Sequence, residues 1–153
     1  MDFKYRKFKT TDKKVVAGLM KELFKETSNE TVSNKNISKT FSELLHYPEK
    51  GIILVLENKK QIVGYCLLIN FWSNEFGGNI LYIDEIYIKP LFCEKNIGTN
   101  FIKSLIKNKL MKAVTFQLEV KPSNRKVIKM YKKIGFKLSR NSHLIYTGSK
   151  SGI

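Results

Sequence analysis

The feature that most constrains this chain is a change of apolar period at Pro90. Before it, Gly51–Glu57, Gln61–Phe71 and Ile80–Ile88 are apolar runs of strand length, rich in Ile, Leu, Val and Tyr. Asn58-Lys59-Lys60 and the Trp72–Gly78 segment separate them as turns. After it, Ile97, Phe101, Leu105, Ile106 and Leu110 recur at helical spacing. Val114, Phe116, Leu118 and Val120 then alternate as a strand. Pro122-Ser123 opens a further helix with Val127, Ile128, Tyr131 and Ile134 on its apolar face. Antiparallel strands running into a strand–helix–strand unit predict a mixed sheet with helices on both faces.

The flanks extend this pattern. Phe3–Lys9 alternates aromatic and basic residues, as an edge strand does. Thr10-Thr11-Asp12 supplies N-cap residues for a helix carrying Val15, Val16, Leu19, Met20, Leu23 and Phe24. Glu26–Lys39 is polar and predicts a loop, with a short helix after Ser38 that holds Phe41, Leu44 and Leu45. Gly135 stands where a helix C-cap glycine belongs, and Phe136–Tyr146 predicts a last strand or hairpin. With 153 residues, no repeat and no Pro/Gly-rich linker, one domain over residues 1–153 is expected.

Charge narrows the function classes. The formal net charge is +15, from 28 Lys+Arg against 13 Asp+Glu. Such a chain attracts nucleic acid, anionic membrane or a phosphorylated cofactor. Only Arg6, Arg125 and Arg140 are arginine, the residue preferred for bidentate phosphate and base recognition. Nucleic acid is therefore disfavoured as a partner, and most lysines are expected to be solvated surface. No apolar run approaches the roughly 20 residues of a membrane span. Met1–Lys9 lacks the apolar centre of a signal peptide. The expectation is a soluble, cytoplasmic protein with no membrane partner. Cys66 and Cys93 do not form a metal-ligand motif, so no metal is expected.

Two segments carry chemistry. In Ile86–Thr99 a buried strand stops at a proline, turns, and enters a helix whose first amides lack internal acceptors. Those amides and the helix dipole suit a diphosphate, with Lys95 and the Thr99 hydroxyl nearby and Gly98 allowing close approach. An ordinary strand-to-helix turn with Asn96 as N-cap fits the same residues equally well. Asp84 and Glu85 interrupt an apolar strand, where a carboxylate is costly unless it is paired or used.

These segments resemble the cofactor motifs of the GNAT superfamily of N-acetyltransferases. The first motif runs strand, Val-x-Pro, then Arg/Gln-x-x-Gly-x-Gly/Ala. The match here is Ile88-Lys89-Pro90 and Cys93-Glu94-Lys95-Asn96-Ile97-Gly98. Cys93 replaces the Arg/Gln, and Asn96 replaces the first glycine. Asparagine is the next best residue where φ must be positive. Leu118-Glu119-Val120, Asn124, Tyr131 and Gly135-Phe136 match the second motif.

The resemblance implies an α/β (α+β type) GNAT fold. Its central mixed, mostly antiparallel sheet would have six to seven strands, flanked by about four helices. It implies acetyl-CoA as cosubstrate and transfer of acetyl to a small-molecule or peptide amine. The backbone of Ile86, Tyr87 and Ile88 would hold the pantetheine like an added strand. Cys93, Glu94, Lys95, Asn96, Ile97, Gly98 and Thr99 would hold the diphosphate, and Asn124 would contact the pantetheine. Tyr131 would protonate the departing thiolate. Glu85, or Asp84 beside it, would be the base, with a strand bulge deciding which one reaches the cleft. A homodimer stays open. So does a CoA-binding module without chemistry, and, further off, a basic nucleic-acid-binding protein. Trp72-Ser73-Asn74-Glu75 is a candidate acceptor wall. A reactive Cys93, its pKa lowered by the helix N-terminus and Lys95, is disfavoured because neither His46 nor His143 is placed beside it.

Overall fold

The computed structural model describes residues 3–93 and 96–148. Five strands form one sheet in the order β1-β2-β3-β4-β5. They are β1 Phe3–Lys7, β2 Gly51–Asn58, β3 Gln61–Ser73, β4 Gly78–Ile88 and β5 Thr115–Leu118. The first four are antiparallel neighbours, and β5 joins β4 in parallel. Helices α1 Lys13–Ser28 and α2 Asn34–His46 precede β2. The one-turn α3 Pro90–Cys93 and α4 Ile97–Lys107 connect β4 to β5, and α5 Arg125–Ile134 follows.

Two apolar clusters sandwich the sheet. Val16, Leu19 and Met20 of α1 and Ile37 and Phe41 of α2 pack with Val55, Tyr65, Leu67 and Tyr87. On the other face, Ile97, Phe101, Ile102 and Leu105 of α4 and Tyr131 of α5 pack with Leu54, Cys66, Leu68, Leu81 and Ile83. Burial of these apolar side chains is the main stabilising term. Asp12 is the one buried charged side chain among the described residues. It receives two hydrogen bonds from the Arg6 guanidinium, at 2.8 and 3.1 Å, and one from the Lys9 amide at 2.7 Å. Arg6 also donates to Glu57 at 2.9 Å, which ties β1, the turn after it and β2 together.

The structure differs from the sequence expectations in three places. The expected loop Glu26–Lys39 shrinks to residues 29–33. Thr27 and Ser28 stay helical by bonding the Leu23 and Phe24 carbonyls one turn back, and Asn29 closes α1 at φ 57°. Ser33 then caps α2 through the Asn36 amide, and buried Ile37 and Phe41, four residues apart, hold that helix down. The strand expected over Val114–Val120 is limited to Thr115–Leu118. No strand forms from Phe136–Tyr146, so among the described residues the sheet has five strands rather than six or seven. The polar run Ser139–His143 leaves only Leu144-Ile145-Tyr146 as a contiguous β-prone stretch, and it is exposed.

Candidate active site

The site begins where β4 and β5 part. Their pairing runs from Ile80–Thr115 to Ile83–Leu118 and then stops, while β4 continues to Ile88. On that side the Asp84–Ile88 backbone has no strand neighbour among the described residues, so an extended ligand could pair there as an added strand. The register of β3 against β4 shifts at the same place. Leu67 faces Glu85 and Leu68 faces Ile83, which leaves Asp84 as the extra, bulged residue. The bulge moves the inward parity by one. Leu81 and Ile83 face α4 and α5 before it, and Ile86 and Ile88 do so after it.

Ile83 before the bulge and Ile86 after it face the same way, so both acids between them lie on the α1 side of the sheet, one exposed and one partly buried. Asp84 is exposed. Glu85 takes the parity of Tyr87 and turns to the α1 face, where the Tyr65 hydroxyl donates to it at 2.7 Å. Burial raises the Glu85 pKa, and the bond from Tyr65 offsets part of that rise. Burial also raises that of Asp84, helped by Glu119. Beyond Glu85, the Tyr87 hydroxyl donates to Glu26 of α1 at 2.9 Å. Among the described residues, Glu22, Glu26, Asp84 and Glu85 have no lysine or arginine partner. A chain of net charge +15 therefore has an acidic wall on one side of this gap.

On the other face stands Tyr131. Its ring is buried and meets Phe136 edge-on at 5.3 Å. Its hydroxyl has no hydrogen-bond partner among the described residues, although a tyrosine that only packs usually finds one. Burial, with the neighbouring Cys66, pushes its pKa up to about 12, so the phenol is protonated at neutral pH. Gly135 ends α5 at φ 117°, as its C-cap position requires.

The turn into α4 carries the expected backbone strain at the expected residue. Asn96 has φ 55°, the left-handed region that a glycine would adopt freely. It occupies the N-cap position, but its side chain makes no capping bond. The opening amides of α4 thus receive no acceptor from Asn96. Gly98 serves packing as well as access: a Cβ there would lie 3.3 Å from the Ile88 side chain. Thr99 lines a groove of about 500 Å³ beside this turn. Glu94 and Lys95 lie outside the described residues.

Three further sequence candidates take these positions in the structure. Asn124 caps α5, its Oδ1 accepting from the Val127 amide at 3.3 Å, which leaves its amide nitrogen free to donate to a ligand. The Cys93 thiol is not activated. It donates to the Ile88 carbonyl at 3.1 Å, and burial followed by Glu26 raises its pKa. Trp72 pairs with Asn79 at the far end of β4, six residues from Glu85. That is about 20 Å at roughly 3.3 Å per strand residue, so Trp72–Glu75 does not wall the gap.

Comparison with known proteins bears on the family and the fold. The Acetyltransferase (GNAT) family profile matches residues 18–136, from within α1 to the residue after Gly135. The chain belongs to this family of acetyltransferase enzymes. It is 35% identical over 75 residues to the mouse (Mus musculus) thialysine N-epsilon-acetyltransferase, a stretch covering 48% of this chain and 44% of that one. The corresponding Sus scrofa protein is 36% identical over 75 residues, with the same coverage. The chain thus matches less than half the length of these relatives. Among solved structures, a possible acetyltransferase from Clostridium difficile 630 superposes with a TM-score of 0.82 at 23% identity, covering 95% of this chain and 97% of that one. AAC(6')-Iy, in complex with the bisubstrate analog CoA-S-monomethyl-acetylneamine, gives 0.79 at 12% identity, covering 97% and 99%. At these identities the superpositions speak for the fold. Among the described residues, no helix is long and apolar enough to cross a membrane.

Proposed function

We propose that this protein transfers the acetyl group of acetyl-CoA to a small, cationic primary amine by direct attack in a ternary complex. The observation that carries this reading is Tyr131: a buried ring whose hydroxyl is protonated and without a partner among the described residues, next to Cys66, the cross-strand neighbour of Ile86 in the unpaired end of β4. The free edge of Ile86, Tyr87 and Ile88 would receive the pantetheine as an added strand. The turn from Cys93 through Thr99 would take the diphosphate on the α4 amides. The Asn124 amide nitrogen would meet the pantetheine arm.

In the reaction the neutral amine nitrogen bonds to the thioester carbonyl carbon and the carbon–sulfur bond breaks. Glu85, through water across the open strand edge, takes the proton that the amine loses, and Asp84 beside it is the second candidate. Tyr131 donates its hydroxyl proton to the departing sulfur. The products are the amide and the free thiol. Glu22, Glu26, Asp84 and Glu85 would draw a positively charged acceptor toward the gap. The relatives act on thialysine by name, an amine at the end of a side chain, which fits such a wall.

The alternative, a module that binds CoA without chemistry, is favoured by one observation: Cys93 stands where the family motif has Arg/Gln, and it spends its thiol on Ile88. Thiol release from acetyl-CoA, measured against thialysine, a diamine and an acidic amine such as glutamate, decides between them. We expect release with the first two and little with glutamate. CoA binding without release for any amine would leave only the binding module.

A further inference from the structure

The sheet has a second open place, at the edge away from the β4–β5 gap. β1 pairs with β2 only as far as Lys7 and Leu54, and the Phe8 amide then donates to the Ile53 carbonyl at 2.9 Å. Beyond that bond the Gly51–Ile52 backbone has no strand neighbour on this side among the described residues. The divergence leaves a cavity of about 380 Å³, within the size range of small-ligand sites. β3 lies between β2 and β4, so the cavity stands apart from the gap that would take the acetyl donor.

Its walls come from both faces of the sheet. Phe8 and Phe41, stacked at 4.8 Å, stand with Leu44 on the α2 side. Ile52, Leu110 and Met111 belong to the cluster under α4. The turn after α4, which carries Leu110 and Met111 to the cavity as its lip, is strained. Lys109, Met111 and Lys112 have φ of 46°, 53° and 57°, left-handed values that an L side chain adopts at a cost. Such conformations persist only where the surroundings hold them, and ligand clamps are among the places where they gather.

Charge selects the class of ligand. Lys7 is the one ionisable side chain among the lining residues, and Lys109 and Lys112 bracket the lip. None of these lysines is in an ion pair among the described residues. No acid lines the cavity, and Glu43 of α2 is engaged by Lys50. We infer that this cavity binds a free monocarboxylate with an unbranched apolar chain, the chain against Phe41, Leu44 and Leu110 and the carboxylate toward Lys7. The apolar walls supply the burial, and the ammonium supplies a charge-assisted hydrogen bond. A second charge on the ligand would be buried against apolar walls without a partner, which excludes dicarboxylates and phosphorylated chains. The inference is independent of the acetyl-transfer reading.

Calorimetric titration of the full chain with octanoate and with 1-octanol tests this. At low salt octanoate should bind about fivefold more tightly than octanol, the effect of one lysine–carboxylate pair at a partly exposed position. In Lys7→Gln the difference should fall to within about twofold, with octanol binding as it does to the wild type. Leu110→Trp fills the cavity from the lip and Leu44→Trp fills it from α2. Each should abolish binding of both ligands and keep binding of CoA, and far-UV circular dichroism shows which variant is folded. A wild type that does not bind octanoate would overturn the inference, also where it sediments with anionic phospholipid vesicles instead. Equal affinities for octanoate and octanol in the wild type would overturn it, as would octanoate binding kept in a folded, filled variant. CoA binding, measured in the same preparations, tests the donor reading separately.

Discussion

Replacing Tyr131 with Phe isolates one oxygen. The ring would keep its place in the core and its edge contact with Phe136. The hydroxyl has no partner among the described residues to lose, so stability should change by no more than about 0.5 kcal/mol. The kinetic effect is a separate matter. With a pKa near 12 the phenol is a weaker acid than an alkyl thiol, whose ordinary value is about 8.5. Complete proton transfer to the thiolate would then be uphill by about 5 kcal/mol, unless the proton released by the amine replaces the one Tyr131 gives up. The hydroxyl is therefore worth mainly what a hydrogen bond to developing charge is worth. We expect kcat to fall about 100-fold, or about 2.7 kcal/mol, at the lower end of acid–base effects. The KM for acetyl-CoA should change little. Initial rates of thiol release and urea unfolding of the same preparation measure both quantities. A kcat within twofold of wild type would remove Tyr131 from the mechanism. A stability loss above about 1.5 kcal/mol would show a structural bond that the account denies it.

Three further outcomes follow from other residues. Glu85→Gln should lower kcat/KM by about 10- to 100-fold. Because burial raises the Glu85 pKa and a base must be ionised, wild-type activity should fall as pH drops through that raised value, and the limb should vanish in the variant; a larger loss in Asp84→Asn would hand the role to Asp84. Asp12→Asn should destabilise by about 2 kcal/mol, because it strips charge from a buried, triply bonded carboxylate while Arg6 keeps Glu57. The Arg6 guanidinium holds the folded Asp12 pKa below its ordinary value, so this stability is present above the unfolded value and lost as pH falls through the folded one; urea midpoints at neutral and acid pH should converge for the two proteins. At φ 55°, Asn96→Gly should be tolerated, whereas Asn96→Val should cost about 1–2 kcal/mol and weaken CoA binding; equal effects of the two would mean that the turn is not held by its backbone.

Much of the topology was legible because period is a local signal. The switch at Pro90 separates the antiparallel strands from the strand–helix–strand unit without knowledge of any contact. Helix α2 was less legible, since Ile37 lies alone in a polar stretch and shows its role only when it meets Phe41 in the core. Asn96 announced its positive φ by residue type. Asn124 could not announce whether it caps α5 or meets a ligand, because asparagine suits both. Asp84 and Glu85 could not be told apart because simple alternation puts neighbours on opposite faces, whereas the bulge leaves both on the α1 side and only their exposure differs. Trp72 looked like a cleft residue only while the strand lengths were unknown. The cavity at the β1 edge was the clearest omission, because Lys7, Leu44, Ile52 and Leu110 come from separate segments and no local pattern shows that they meet.

The central claim is that the donor lies in the β4–β5 gap with its diphosphate on the Asn96–Thr99 turn. Amide hydrogen exchange with and without saturating CoA tests it directly. Bound CoA should slow exchange at Asp84–Ile88 and Ile97–Thr99, with little change along β1 and β2. Protection confined to other elements, or none at a CoA concentration that saturates binding, would contradict it.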